Sequence, residues 1–456
     1  MLSVTSIPRS RRLQTVAVLA MLPLAACEGV RRVAEDLLDT RTPRQRYVDG
    51  LAAAGLATSA LARDWSAAGH RALLDAPVVD LPHIEEGYLP PGEPAAIGLR
   101  ARVRRGQEVT FLVEFPGDSS GTIYLDAWLV EGDSTPPPLI HVESADSGTR
   151  SIRVRPRRDA EVVMRAQPEL LRGGRFRATM RVAPTLAFPV GSGTERDVGS
   201  RFGASRDGGR RNHHGIDIFA QRGTPVVAAA AGVVRRVEET AIGGKVVWLR
   251  DREGNSLYYA HLDRQTVANG MQIDAGDTLG YVGNTGNART TPPHLHFGVY
   301  QRGSGPVDPW WFVHRPRGSV ASLEADTTRL GGWIRLPRDG TLLRAGPSMQ
   351  SDTVAVFPRL TAMRVLSATG GWYRVRLPDG ATGFVSARLT ESADRALRVA
   401  TVDNASPMLA RPTTVRGGLN VVALVTPADS LDVLGRFGDF ILVRSARGMA
   451  GWVAEN

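Results

Sequence analysis

The chain has 456 residues and a formal net charge of +10, and Lys245 is its only lysine. A chain of this length is expected to fold as roughly three or four domains. The arginines are scattered rather than clustered, so the charge argues against a nucleic-acid partner and leaves only a mild attraction to anionic polymers or lipid. A single cysteine excludes disulfides within the chain, so each domain must depend on its own apolar core.

Residues 1–26 have the features of an export signal. Three arginines precede an apolar stretch, 13–26, that is too short to span a bilayer as a stable helix. The stretch ends in Leu-Ala-Ala-Cys27, which resembles a bacterial lipobox, so Cys27 is the predicted site of lipid attachment. Glu28 follows the cysteine, and by enteric sorting rules it favours the outer membrane, facing the periplasm. The alternative is an ordinary signal peptide or a single anchor helix.

Residues 27–80 are predicted to be helical. Thr42 and Pro43 form a favourable N-cap and first helical residue. Apolar residues then recur at three- and four-residue spacing as far as Trp65. This pattern predicts a short helical region, either a stalk or a hairpin lying on a neighbouring domain.

A β-sandwich is predicted for 81–184, beginning with a linker over the proline-rich and acidic segment 81–96. Short strand-like runs separated by turn residues are typical of an antiparallel sandwich. The runs are Val109–Phe115, Ile123–Val130, Ser151–Arg155, Glu161–Arg165 and Arg175–Val182.

The C-terminal part contains an internal repeat. A pattern of aromatic residues, valine and glycine recurs 68 positions later, which indicates a duplication. The first set is Trp372, Val375, Gly383 and Phe384, and the second is Phe440, Val443, Gly451 and Trp452. The first copy resembles a bacterial SH3-like domain, so two SH3-like barrels are predicted, over 319–393 and 394–456. Such domains commonly bind cell-wall peptides, and a purely structural role is the alternative.

The chemistry is predicted to lie in 185–318. His294 and His296 fall in a strand-like stretch, where residues i and i+2 share a face. If residues 213–217 enter a strand, His213 and Asp217 also share a face and His214 points away. His261 ends another strand-like run. Two histidines and a carboxylate are a common zinc set, with a fourth position left for water in a catalytic site, and the lack of clustered cysteines argues against a structural zinc site.

These residues fall into motifs that appear in order along the chain. The motifs are His213-x-Gly-x-Asp217, Tyr259-Ala-His261-Leu and His294-Leu-His296-Phe. In these motifs the segment resembles the LytM/lysostaphin-type peptidoglycan endopeptidases. The resemblance implies a small antiparallel sheet that forms a groove, and one zinc ion per chain bound by His213, Asp217 and His296. It also implies that His294 and His261 are the catalytic histidines and that the substrate is a peptidoglycan peptide.

The sequence therefore predicts a mainly β, multidomain fold that carries a zinc endopeptidase for cross-links of the cell wall. The expected partners are peptidoglycan peptide and, through lipid on Cys27, a membrane. One alternative is a non-catalytic regulator on the same fold, which binds the wall or activates an amidase. Another is a wall-binding lipoprotein tether that acts through its SH3-like pair.

Overall fold

The computed structural model describes residues 40–117, 121–132, 134–316, 318, 320–412 and 421–455. The described strands form five sheets, and the predicted mainly β, multidomain fold is confirmed. None of the helices in these ranges is long and apolar enough to cross a membrane. The predicted export signal and Cys27 lie outside the described residues.

From residue 40 onward, where the structure describes it, the helical region contains two helices that lie against the sandwich. They are α1 (Pro43–Ala53) and α2 (Ala60–Leu74). Thr42 caps α1 with its side chain, as the sequence predicts, and Ser59 caps α2. The predicted periodicity is interrupted by Gly55, which has a φ of 71°. Trp65 is buried, and its indole N–H donates to the carbonyl of Pro168 at 2.8 Å. The helices therefore do not project as a stalk.

Two facing sheets form the sandwich. One has the order β2-β7-β4-β5, the other contains β1-β8-β3-β6, and the apolar side chains of both meet in one core. The strands are β1 (His83–Leu89), β2 (Ile97–Val103), β3 (Gln107–Glu114), β4 (Ile123–Val130), β5 (Leu139–Ser144), β6 (Ser151–Val154), β7 (Ala160–Pro168) and β8 (Gly174–Pro184).

The predicted linker over 81–96 is wrong, because it contains β1. This strand pairs with β8 along its whole length. The acidic residues of the segment were taken as a sign of solvent exposure, but Glu85 is buried. Burial alone would raise the pKa of Glu85, but its contacts with His83 and Arg374 outweigh that effect and lower the pKa. The composition of a segment does not show whether a charged side chain is exposed or is paired in the interior.

The next unit is built on one antiparallel sheet whose central order is β14-β15-β16-β19-β12. Ile216, Tyr259 and Phe297 lie in its core. The short helix α3 (Trp310–Val313) follows the sheet, and its Phe312 packs against that core. The strands are β9 (Val198–Ser200), β10 (Ser205–Arg206), β11 (Arg211–Asn212), β12 (Ile216–Phe219), β13 (Pro225–Val227), β14 (Gly232–Thr240), β15 (Gly244–Asp251), β16 (Ser256–Gln265), β17 (Gln272–Ile273), β18 (Thr278–Val282), β19 (His294–Gln301) and β20 (Gly305–Val307).

The C-terminal part shows the same strand order twice, β23-β22-β26-β25-β24-β21 and then β30-β29-β33-β32-β31-β28. A bulge falls at 365/367 in the first copy and at 433/435 in the second. The strands are β21 (Trp333–Arg335), β22 (Thr341–Arg344), β23 (Thr353–Phe357), β24 (Ala362–Thr369), β25 (Trp372–Arg376), β26 (Thr382–Ser386), β27 (Glu391–Ser392), β28 (Arg398–Ala400), β29 (Ser406–Leu409), β30 (Val421–Val425), β31 (Leu431–Phe437), β32 (Phe440–Ser445) and β33 (Ala450–Ala454).

Two features of this region differ from the prediction. Within the described ranges neither strand set closes into a barrel. The first copy is also not a separate unit, because β24 pairs with β1 and thereby joins the sandwich and the SH3-like strands in one 11-stranded sheet. The pairing covers two sheet edges that would otherwise expose unpaired backbone groups.

Candidate metal centre and active site

Strand pairing brings two of the predicted ligands together. In the antiparallel pair β12–β19, Asp217 lies opposite His296, and Phe219 lies opposite His294. Residues that face each other across a ladder present their side chains on the same face. His294 and His296 both lie on β19 and also share that face, because side chains on a strand alternate.

His213 reaches the same face without being on a strand, which corrects the prediction. β11 ends at Asn212 and β12 begins at Ile216, so His213 lies in the connection between them. A side chain at Gly215 would place its Cβ 2.6 Å from Nε2 of His296, so only glycine allows this close approach. His214 is exposed and stacks on Phe202, away from the site, as its position in the sequence predicts.

Three donor atoms form a compact triangle. Nε2 of His213 lies 3.0 Å from Oδ1 of Asp217 and 2.9 Å from Nδ1 of His296, and the last two atoms are 3.0 Å apart. In a tetrahedral site with ligand distances near 2.1 Å, the donor atoms are separated by about 3.4 Å. The triangle is therefore of the right size and chemistry to bind one metal ion, and no other group of this kind is found among the described residues.

Backbone carbonyl groups fix the tautomers of three histidines at the site. Nδ1 of His213, His261 and His294 lies 2.8, 2.9 and 2.9 Å from the carbonyl oxygens of Arg201, Thr285 and Pro292, respectively. A carbonyl oxygen only accepts, so each Nδ1 carries a proton, and in the neutral imidazole each Nε2 keeps a lone pair. Hydrogen bonds of this kind orient the imidazoles that bind metals or transfer protons.

His261 is held in an uncommon backbone conformation. Its φ is 63°, a region in which non-glycine residues are rare, and its N–H donates to the carbonyl of Gly243 at 2.8 Å. A Cβ on Gly244 would lie 2.1 Å from Oγ1 of Thr285, so the glycine lets these two loops meet beneath the histidine. Burial, together with the neighbouring His294 and His296, lowers the pKa of His261 to about 4. His261 is therefore neutral at pH 7.

The sequence-based reasoning missed Arg206. Its guanidinium donates to Oδ2 of Asp217 at 2.6 Å and to Oγ of Ser200 at 2.7 Å. Oδ1 of Asp217 is thereby left to serve as one of the three atoms of the donor triangle. Burial alone would raise the pKa of this carboxyl group, but hydrogen bonds with His213 and His296 outweigh burial and lower the pKa far below its usual value.

An aromatic cluster borders the same face. The ring of Trp248 lies 4.3 Å from that of Tyr258 and 5.1 Å from that of Tyr300, measured between centroids. Tyr258 in turn lies 5.8 Å from the ring of His296. The three rings lie on β15, β16 and β19, so the sheet brings them together from strands that are distant in sequence. The cluster forms an apolar wall beside the donor triangle.

Comparison with known proteins identifies this unit. Residues 211–309 match the sequence model of peptidase family M23, and residues 339–391 match that of a bacterial SH3 domain. The chain therefore contains a peptidase family M23 domain. The M23 match includes all five residues predicted for the site, and the resemblance to LytM/lysostaphin-type endopeptidases is confirmed.

Two curated relatives extend well beyond the matched region, which covers less than half of the length of each. The L-Ala--D-Glu endopeptidase of Bacillus subtilis is 37% identical over 123 residues, which are 25% of this chain and 38% of that protein. The peptidoglycan DD-endopeptidase ShyC of Vibrio cholerae is 37% identical over 106 residues, 22% and 24% of the two chains. Among solved structures, the catalytic domain of lysostaphin from Staphylococcus simulans matches 24% of this chain and 86% of that one, at 32% identity and a TM-score of 0.23.

Proposed function

We propose that this protein is a zinc endopeptidase that hydrolyses peptide cross-links of peptidoglycan. The observation that carries the proposal is the donor triangle of His213, Asp217 and His296 with two further histidines, His261 and His294, around it. The named functions of relatives of the M23 domain support the substrate class. These relatives differ in the bond that they cut, so we assign the class of substrate and not the individual bond.

The donor set suits zinc, which prefers nitrogen and oxygen donors of this kind when no thiolate is present. His213, Asp217 and His296 would hold the ion and leave a fourth position open. When bound, zinc polarises a carbonyl group and lowers the pKa of a coordinated water molecule towards ~7. Arg206 keeps the second carboxylate oxygen of Asp217 occupied, so that this side chain offers one oxygen to the site.

His294 is the proposed proton acceptor. In the neutral imidazole its Nε2 carries a lone pair, and this atom lies 4.0 Å from Oδ1 of Asp217, beside the donor triangle. From there it can take a proton from the attacking water and pass it to the leaving amine. His261 also presents a lone pair at Nε2, so in its neutral form it accepts a hydrogen bond. It can donate one to an oxyanion only after it has gained a proton.

The decisive experiment uses the purified full chain and isolated sacculi. We expect about one zinc ion per chain, a fall in turbidity of the sacculi, and loss of activity on chelation with recovery when zinc is added. Mass analysis of the released fragments identifies the bond that is cut. A protein that binds sacculi without releasing fragments would instead be a regulator or a tether, the two non-catalytic alternatives.

Replacing Arg206 with glutamine should weaken zinc binding about 10–100-fold, the usual effect of removing a group that orients a ligand. The guanidinium fixes the orientation of Asp217 through the 2.6 Å contact, and glutamine cannot replace that charge. Competition with a chelator of known affinity measures the effect. Arg210→Gln, a nearby arginine on the connection before β11, is the matched control. Equal zinc affinity in wild type and Arg206→Gln would contradict this role.

The anchoring proposal concerns Cys27, where we infer lipid attachment after removal of residues 1–26. Replacing Cys27 with serine should leave an unlipidated precursor, because serine lacks the thiol that carries the lipid. Intact-mass measurement and membrane fractionation, including separation of the inner and outer membranes, check this result and the proposed outer-membrane location. Normal processing and membrane association of the Cys27→Ser protein would contradict the lipoprotein assignment.

A further inference from the structure

An open cavity lies outside the M23 domain. It lies where α2, β1 and the strands β24 and β25 meet. No residue of the M23 match lines it. The pairing of β1 with β24 creates it, so it belongs to the joint between the sandwich and the first SH3-like copy.

Four arginines from three elements line this cavity: Arg71 on α2, Arg364 on β24, and Arg374 and Arg376 on β25. Like charges held this close repel one another, and water or a counter-charge must compensate for that repulsion. An internal ion pair accounts for one of them, since Arg364 contacts Glu93 at 2.6 Å. Arg374 is buried and lies 3.8 Å from Glu85.

The two remaining arginines are available to a ligand. Arg71 and Arg376 are both exposed, and within the described part of the chain their guanidinium groups make no hydrogen bond or ion pair, although Asp75 also lines the cavity and the charge of Glu93 acts on Arg376. The walls between the charged groups are apolar and include Ala72, Leu89 and Val365. The cavity thus combines two exposed, planar guanidinium groups with apolar walls.

We propose that this cavity binds a peptide with a free carboxylate, which Arg71 and Arg376 hold. A guanidinium group matches a carboxylate in a bidentate geometry, and the apolar walls would accept small side chains such as that of alanine. The source of the ligand rests on the proposed function, because stem peptides of the wall end in carboxylates. Binding there would attach the protein to its substrate polymer at a distance from the M23 site.

The test is calorimetric titration of the full chain with N-acetyl-D-Ala-D-Ala, with the same dipeptide as its C-terminal amide, and with inorganic phosphate. We expect the free acid to bind and the amide to bind at least ~10-fold more weakly, because a charge-assisted hydrogen bond is lost. Arg71→Gln and Arg376→Gln should each weaken binding ~10–100-fold. Arg338→Gln, at an exposed position outside the cavity, is the control.

The outcomes separate this proposal from the proposed function. Arg376→Gln should bind sacculi more weakly yet cleave small soluble peptides at the wild-type rate, because the cavity has no residue in the M23 match. If the wild type cleaves nothing, the dipeptide titration still decides the cavity. Equal affinity for acid and amide, unchanged binding by both arginine variants, or phosphate binding as tight as that of the dipeptide would overturn it. Melting temperatures verify that each variant is folded.

Discussion

Replacing His294 with alanine should lower turnover about 10²–10⁴-fold, the usual effect of removing an acid–base group, while zinc content stays near one ion per chain. His294 shares its strand face with His296, so position alone would make both histidines ligands. The distances separate them. Nε2 of His294 is 4.0 Å from Oδ1 of Asp217, whereas the edges of the donor triangle measure 2.9–3.0 Å.

The coordination chemistry leads to the same expectation. Three protein ligands leave a hydrolytic zinc with an open position, whereas a fourth would close the site and make it structural. Metal analysis and turnover of a soluble peptide, measured on one preparation of His294→Ala, check the prediction. His214→Ala is the matched control, since this neighbouring histidine is exposed and faces away from the site. Zinc loss as complete as that of His296→Ala would make His294 a ligand, and the acid–base role would pass to His261.

The sequence predicted well those parts of the site that depend on the two-residue period of a strand. The pair His294 and His296 lies on one face of β19 because alternation within a strand needs only local information. The same reasoning went wrong for His213, which lies in the connection before β12. There the glycine at 215, and not strand geometry, lets the chain bring the imidazole to Asp217.

Pairings between distant segments could not be predicted from the sequence. β1 was mistaken for a linker because its acidic residues suggested solvent exposure, while the partner that neutralises Glu85 lies far along the chain on β25. Its second neighbour, β24, is equally remote. Arg206 was missed for a related reason. Scattered arginines all look solvated, and only the folded chain shows which one contacts a ligand carboxylate.

Replacing His296 with alanine should remove zinc and stability together. A metal that binds only the folded form stabilises it by ~2.7 kcal/mol at a free concentration 100 times its dissociation constant. His296 supplies one of the three donor atoms, so the variant should lose this stabilisation by the metal.

Thermal melts with zinc and with chelator check this prediction. The melting temperature of the wild type should fall on chelation, and that of His296→Ala should be low in both conditions. Stoichiometric zinc in the variant, with a melting temperature that still responds to chelator, would show that the ion lies elsewhere. The proposed mechanism would then fail, because the metal would not lie beside His261 and His294.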